Sequence, residues 1–375
     1  MIVQQSIPLF KVRLPAGIET ALGKTLASGY IAQGAQVEEF ERRFGEYAGN
    51  LYACAVSDIS GALTLSLFLA GVRPGDHVIV SPMVCLATSM PIANLFAVPI
   101  WCDVDPLTGM PTARHVRAAL TPQTKAIVVS HWSGDIASIE EIGAVAKSVG
   151  IPLIEDASEA FGARICGRRP GNGTADFTAY SFGPVRQITC GEGAALLLQS
   201  PDEYERMRCL RRYGIHQPSF RLQNGDLNPY SDIETPGFNF GFNNLGATIG
   251  IAQFNGLEHI LSRYQSNGSY YESALSAIPG LTLLHRRNDA HSGYWTYSLR
   301  VERRADLIRK LKEEGIDCQR LHLRNDRYRC FQRESSNNDL PGVNLFDLEN
   351  LSIPCGWWVR DEDREKISMI IRSGW

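Results

Sequence analysis

The chain has 375 residues, of which 44% are hydrophobic and 21% charged, with a formal net charge of −3. That is a globular composition with room for one large domain and a smaller one. It carries no excess of basic charge for nucleic acid or an anionic membrane. No apolar run approaches the about 20 residues of a membrane helix.

Met1–Pro8 lacks the basic stretch and apolar core of a secretory leader, so the expected compartment is the cytoplasm. Residues 16–48 read as two helices around the glycine-rich turn Ser28-Gly-Tyr-Ile-Ala-Gln-Gly34. Short apolar runs at 52–56, 77–80, 98–103, 126–130, 153–156, 177–181 and 194–198 then predict strands, with helices between several of them, as at 61–70 and 139–148. This alternation predicts an α/β fold with a mostly parallel sheet covered by helices on both faces. A charged amphipathic helix is expected at 204–213 and a long bridging helix at 254–277. A strand at 294–301 and helices at 304–314 and 361–371 suit a small C-terminal α+β domain. The expected division is 1–250 for the large domain and 251–375 for the bridge and small domain. The nine cysteines are scattered without a C-x-x-C or zinc spacing, so they read as reduced thiols in a core, and no metal site is expected.

Open α/β sheets bind ligands at the carboxyl ends of their strands. Ser57 and Asp58, His131, Asp156 and Glu159, and Ser181 all follow predicted strands. The pattern predicts a small-molecule site at that edge, with Asp156 and Glu159 three residues apart and able to face one ligand.

The motifs in order are Ile7-Pro-Leu-Phe, Val37-Glu-Glu-Phe-Glu, Pro74-Gly-Asp-His-Val-Ile-Val, Asp103-Val-Asp-Pro, Ile154-Glu-Asp-Ala-Ser-Glu-Ala, Gly191-Glu-Gly and Gly237-Phe-Asn. Together they resemble the DegT/StrS sugar aminotransferases, fold-type I enzymes that use pyridoxal phosphate (PLP) on nucleotide-linked keto-sugars. The resemblance covers nearly the whole chain. It implies a homodimer, or a heterodimer with an active paralogue. It also implies a role in modified sugars for a surface polysaccharide or glycosylated natural product. Asp156 matches the aspartate that pairs with the pyridine nitrogen. Ser60, Gly61 and Ser181 match the phosphate site, at the start of a helix whose N–H groups suit an anion. Asn239 matches an asparagine that reaches the partner subunit's cofactor phosphate.

The departures concentrate in the same site. The segment Tyr180-Ser-Phe-Gly-Pro-Val-Arg-Gln-Ile-Thr-Cys-Gly-Glu-Gly193 resembles the one that carries the Schiff-base lysine, and Arg186 stands in the lysine's place. A guanidinium with a pKa above about 12 neither attacks a carbonyl nor shuttles protons readily. The phosphate loop reads Ser57-Asp-Ile-Ser60, with Asp58 adding negative charge and Ile59 replacing a glycine. Cys85 stands where an aromatic ring stacks on the pyridine, and Glu159 where a glutamine bonds the ring hydroxyl. Gly183 and Gly241 replace a common histidine and a common basic residue.

These residues leave several readings open. A lysine-free enzyme holding PLP or pyridoxamine phosphate (PMP) non-covalently needs another base, with Glu159, His131, His216 and Cys85 as candidates. A non-catalytic relative would bind a nucleotide-linked sugar or similar phosphate-bearing molecule, with no pyridoxal cofactor and with Arg186 paired to Asp156, to Glu159 or to an anionic ligand. The same set permits an enzyme repurposed for PLP-independent chemistry. An engineered Lys→Arg exchange would account for Arg186 but leaves Ile59 and Cys85 unexplained.

Overall fold

Seven strands form one sheet in the computed structural model, which describes residues 6–331 and 339–375. They are β1 (Ala53–Val56), β2 (His77–Val80), β3 (Val98–Trp101), β4 (Thr124–Ser130), β5 (Leu153–Asp156), β7 (Phe177–Ser181) and β8 (Ala194–Leu197). The two-residue β6 (Arg164–Ile165) lies outside this sheet. The order is β1-β8-β7-β5-β4-β2-β3, and only β8 runs against its neighbours. Every predicted strand is present, with ends differing by up to two residues. β5, β7 and β8 are buried along their whole length, as central strands of a sheet covered on both faces are, and the buried polar residues of β5 and β7 are met by hydrogen bonds such as Thr178 Oγ1 to Glu155.

The Ala35–Ala48 helix shows how the sequence builds the cover. Val37, Phe40, Phe44 and Ala48 recur at helical spacing and are all buried. Phe40 and Phe44 meet the Phe182 ring edge-on, at 5.0 and 5.1 Å between centroids. The helix packs on Asn244–Phe254, whose Gly250 lies so close to Phe40 that a Cβ there would sit 2.5 Å from the ring.

The long helix expected at 254–277 is present as Leu257–Ala274, and Phe254 instead ends the preceding helix. Asn244–Phe254 ends at Asn255, and Leu257–Ala274 begins after Gly256, whose φ of 75° turns the chain. The strand expected from 294 starts at Tyr297, because Tyr294 has a φ of 44° and breaks the extended run.

A second, antiparallel sheet of order β12-β11-β9 joins β9 (Leu281–Leu283), β11 (Tyr297–Val301) and β12 (Asn350–Ile353). Its core also takes Ile367 and Ile371 from the Asp361–Arg372 helix. β10 (Ala290–His291) crosses back to pair with β6. The two cores do not follow one cut in the chain. Ile7 packs into the second core, whereas Phe331, Leu340, Val343 and Phe346 return to the first. Arg286 ties the two together: it bridges Asp135 of the first, at 3.2 Å, and Glu272 of the second. The rings of Tyr294 and Tyr297 flank its guanidinium. Among the described residues, no helix is long and apolar enough to cross a membrane.

Candidate active site

The carboxyl ends of β1, β5 and β7 place Ser57, Asp156 and Ser181 along one sheet edge. Asp156, the last residue of β5, is buried and fully engaged. Its Oδ2 accepts from Thr88 Oγ1 at 2.7 Å and Ser130 Oγ at 3.4 Å, and its Oδ1 accepts from the Ser158 N–H at 3.1 Å. Thr88 lies on the Leu86–Asn94 helix, which Cys85 precedes. Burial pushes the Cys85 thiol up, so it keeps its proton at neutral pH.

The pleat turns the preceding residue, Glu155, to the opposite face. There it accepts from Thr178 Oγ1 at 2.7 Å and the Gly171 N–H at 3.0 Å, and it meets His131 Nε2 at 2.9 Å. His131 Nδ1 accepts from the Ala137 N–H at 3.3 Å. His131, expected as a candidate base, is therefore not brought to the Asp156 group. Both ring nitrogens are committed and the side chain is buried beside Glu155. His216 also stands apart, exposed, with Nδ1 on Ser219 Oγ at 2.8 Å.

The Ile59–Leu69 helix opens with Asp58 in an extended conformation at its N-cap. Asp58 Oδ1 accepts from the Gly61 N–H at 2.8 Å and Oδ2 from Ser57 Oγ at 2.7 Å. Ser60 Oγ donates to the Ala87 carbonyl at 3.4 Å. Gly61 lies against Phe240, where a Cβ would sit 2.9 Å from the ring. Ser181 is buried and accepts from the Gly183 N–H at 3.2 Å. Asn239 is exposed and held only by its backbone bridge to Arg212.

Arg186 is half-buried. Its Cζ lies 4.1 Å from the centre of the Trp295 ring, and Phe10 stacks on the same indole at 5.1 Å. Trp295 Nε1 donates to the Val185 carbonyl at 2.7 Å, which fixes the ring under the loop. The expected pairing of Arg186 with Asp156 or Glu159 is not found among the described residues. The indole face holds the cation instead. Arg186 Nη1 is buried there and has no hydrogen-bond partner.

Glu159 is buried, and its partners come from two directions. Oε2 accepts from the Ser133 N–H at 2.8 Å, and Oε1 lies 2.7 Å from His322 Nε2. Burial opposes ionisation. The His322 charge and hydrogen bond, the Arg186 charge and the Ser133 N–H together outweigh it and hold the carboxyl below the usual range. His322 also meets Trp132 edge-on at 5.6 Å. It is the site residue that sequence reasoning missed. It lies 163 residues beyond Glu159, after no predicted strand of the sheet.

A model of the DegT/DnrJ/EryC1/StrS aminotransferase family matches residues 15–372. This chain belongs to that family. The crystal structure of the sugar aminotransferase CalS13 from Micromonospora echinospora is similar at a TM-score of 0.92 and 31% identity, covering 98% of this chain and 100% of that one. AtS13 from Actinomadura melliaura gives a TM-score of 0.92 at 30% identity, covering 100% of both chains. The aminotransferase TlmJ from Streptoalloteichus hindustanus gives 0.89 at 28%, covering 98% of each.

Membership implies PLP or PMP, and the site can be tested against that group. Asp156, Ser60 and Ser181 are in place. No amine stands at residue 186, the Asp58 carboxylate already takes the Gly61 N–H that a phosphate would use, and Glu159 is an ionised carboxylate where a phenolate oxygen would approach. The donor set therefore does not fit a covalently held, phosphorylated pyridine.

Proposed function

We propose that this member of the sugar aminotransferase family binds a nucleotide-linked keto-sugar at the sheet edge and has lost or replaced lysine-dependent transamination. The observation that carries this reading is Arg186 at the Schiff-base position, with its guanidinium on Trp295 and Nη1 left without a partner. Such a group supplies fixed positive charge and hydrogen bonds for an oxyanion, and no nucleophile. The retained Asp156, Ser60 and Ser181 support a second reading, a lysine-independent enzyme that takes up PMP or PLP non-covalently on a keto-sugar.

The working unit in this proposal is a homodimer, or a pair with an active paralogue. Asn239 is exposed beside the phosphate loop, and Tyr30 and Tyr230 are 80% and 91% exposed, which is unusual for such large rings in a lone chain. The nine free cysteines suit the reducing cytoplasm. The test is a titration of the purified native sequence with PLP, with PMP and with a thymidine-diphosphate-linked 4-keto-6-deoxy sugar, read by absorbance and calorimetry. Sugar binding with neither pyridoxal compound bound at millimolar concentration is expected. A reducible aldimine, or transamination at an ordinary rate, overturns the reading, and tight PMP binding shifts it to the second.

A further inference from the structure

The Glu159–His322 pair lies at the large core, beside Trp132, and the segment that carries His322 packs on that core through Leu321 and Phe331. Three anchors hold it. Glu159 is fixed by the Ser133 N–H, the His322 ring is braced by Trp132, and the segment just after His322 is clamped by Asn325. Asn325 Nδ2 donates to the Val84 carbonyl at 3.1 Å and to Ser89 Oγ at 2.9 Å, tying this segment to the helix that Cys85 opens. Because the Glu159 carboxylate only accepts hydrogen bonds, His322 Nε2 carries the hydrogen between them. Whenever the ring is uncharged Nδ1 is the lone pair, and no hydrogen bond to it is found among the described residues. His322 remains 14% exposed, so this lone pair is not sealed into the protein. A buried carboxylate that fixes the tautomer of an imidazole is the arrangement of a general base.

We propose that His322, oriented by Glu159, removes the proton next to the carbonyl of the keto-sugar, and that Arg186 binds the resulting enolate oxygen, so that the site enolises its substrate without a pyridoxal cofactor. The inference rests on the keto-sugar reading above and deepens it. The C–H bond breaks and its proton passes to His322 Nδ1. The electron pair forms the new C=C bond, and the carbonyl π pair moves onto oxygen, where the half-buried Arg186 guanidinium donates to it. Return of the proton from His322 restores the substrate, whereas delivery of a proton from water to the opposite face inverts that centre. Where the deprotonated carbon bears a hydroxyl, protonation of the enolate oxygen, loss of that hydroxyl's proton and protonation of the former carbonyl carbon shift the carbonyl. No oxidant, reductant or further reactant is needed. Arg186 keeps its charge throughout, which is what an oxyanion donor requires and a Schiff-base lysine cannot offer. Cys85 does not compete for the proton, since its thiol is already protonated.

The test uses the full chain with no pyridoxal compound added and the thymidine-diphosphate-linked 4-keto-6-deoxy sugar in D2O. Proton NMR follows loss of the signals on the carbons flanking the carbonyl, against a protein-free control, and calorimetry records binding of the same sugar. Exchange above the control is expected, falling about 100-fold or more in His322→Asn with binding retained. Glu159→Gln should lower the exchange rate at unchanged affinity, with partial recovery in Glu159→Asp, as befits a positioning residue. If His322→Asn does not fold, Arg186→Met reports independently and should also lose exchange. Binding without exchange overturns this inference and leaves the keto-sugar reading intact. No binding overturns both. Undiminished exchange in folded His322→Asn, or exchange that appears only with added PMP, also overturns it.

Discussion

In the proposed reading, Arg186 stands for a Schiff-base lysine and supplies positive charge without a nucleophile. In that reading Asp58 and Glu159 also depart from the family pattern, so restoring the amine alone is not enough. In Arg186→Lys, addition of PLP is expected to leave the visible absorbance without a stable aldimine band, because Asp58 still takes the Gly61 N–H and Glu159 still faces the ring oxygen. A band at stoichiometric PLP would show that the lysine was the one missing part. The thiols make a second case at this scale. Burial pushes Cys54 up to about 12, whereas Cys166 and Cys330 are exposed. Titration with an aromatic disulfide should modify the two exposed thiols first and leave Cys54 untouched until the protein unfolds. Asp156 and Ser181 were readable from the sequence because strand ends feed one edge of a parallel sheet. His131 shares that address and faces away, since a strand end alone does not say which side of the pleat a side chain takes. His322 carried no local signal, because its place is set by long-range packing of its segment on Trp132 and on the Val84–Ser89 region.

The elements around the site are held by a few polar contacts that can be tested one at a time. Asp58 caps the Ile59–Leu69 helix, and Asp58→Ala is expected to cost about 1 kcal/mol in urea unfolding. The Glu159–His322 tie should show itself in acid. The folded carboxyl titrates below its unfolded value of about 4.3. Its contribution is therefore complete above that value and is lost as pH falls through the folded one. The stability gap between native protein and Glu159→Gln, measured across a pH series, should narrow below about pH 4.3. A gap that stayed constant would mean that the pair adds nothing to folding. Most elements were legible because their apolar periods are regular, as in Val37, Phe40, Phe44 and Ala48. The long helix starts at Leu257, three residues later than expected, because the extended Asn255 and left-handed Gly256 separate it from a helix that ends at Phe254.

For the molecule as a whole, the resemblance carried the architecture, and solved relatives match it across the full length. What the sequence order conceals is that the small core borrows from both ends of the chain while Phe331, Leu340, Val343 and Phe346 return to the large one. The proposed dimer belongs to this scale and can be tested directly. Sedimentation should give twice the chain mass, and Leu227→Ser with Tyr230→Ser should shift the protein toward the single chain. A monomeric native protein would remove the need for Asn239 in the site.

The Phe10–Trp295–Arg186 stack has an optical consequence. An indole pressed against a cation emits differently from one whose cation has moved to an anionic ligand. Among the described residues, Trp295 is the one tryptophan with a guanidinium over its ring. Its fluorescence should therefore follow occupancy of the site, and the change should vanish in Trp295→Phe. A dye-free titration of candidate sugars is in this way already built into the chain.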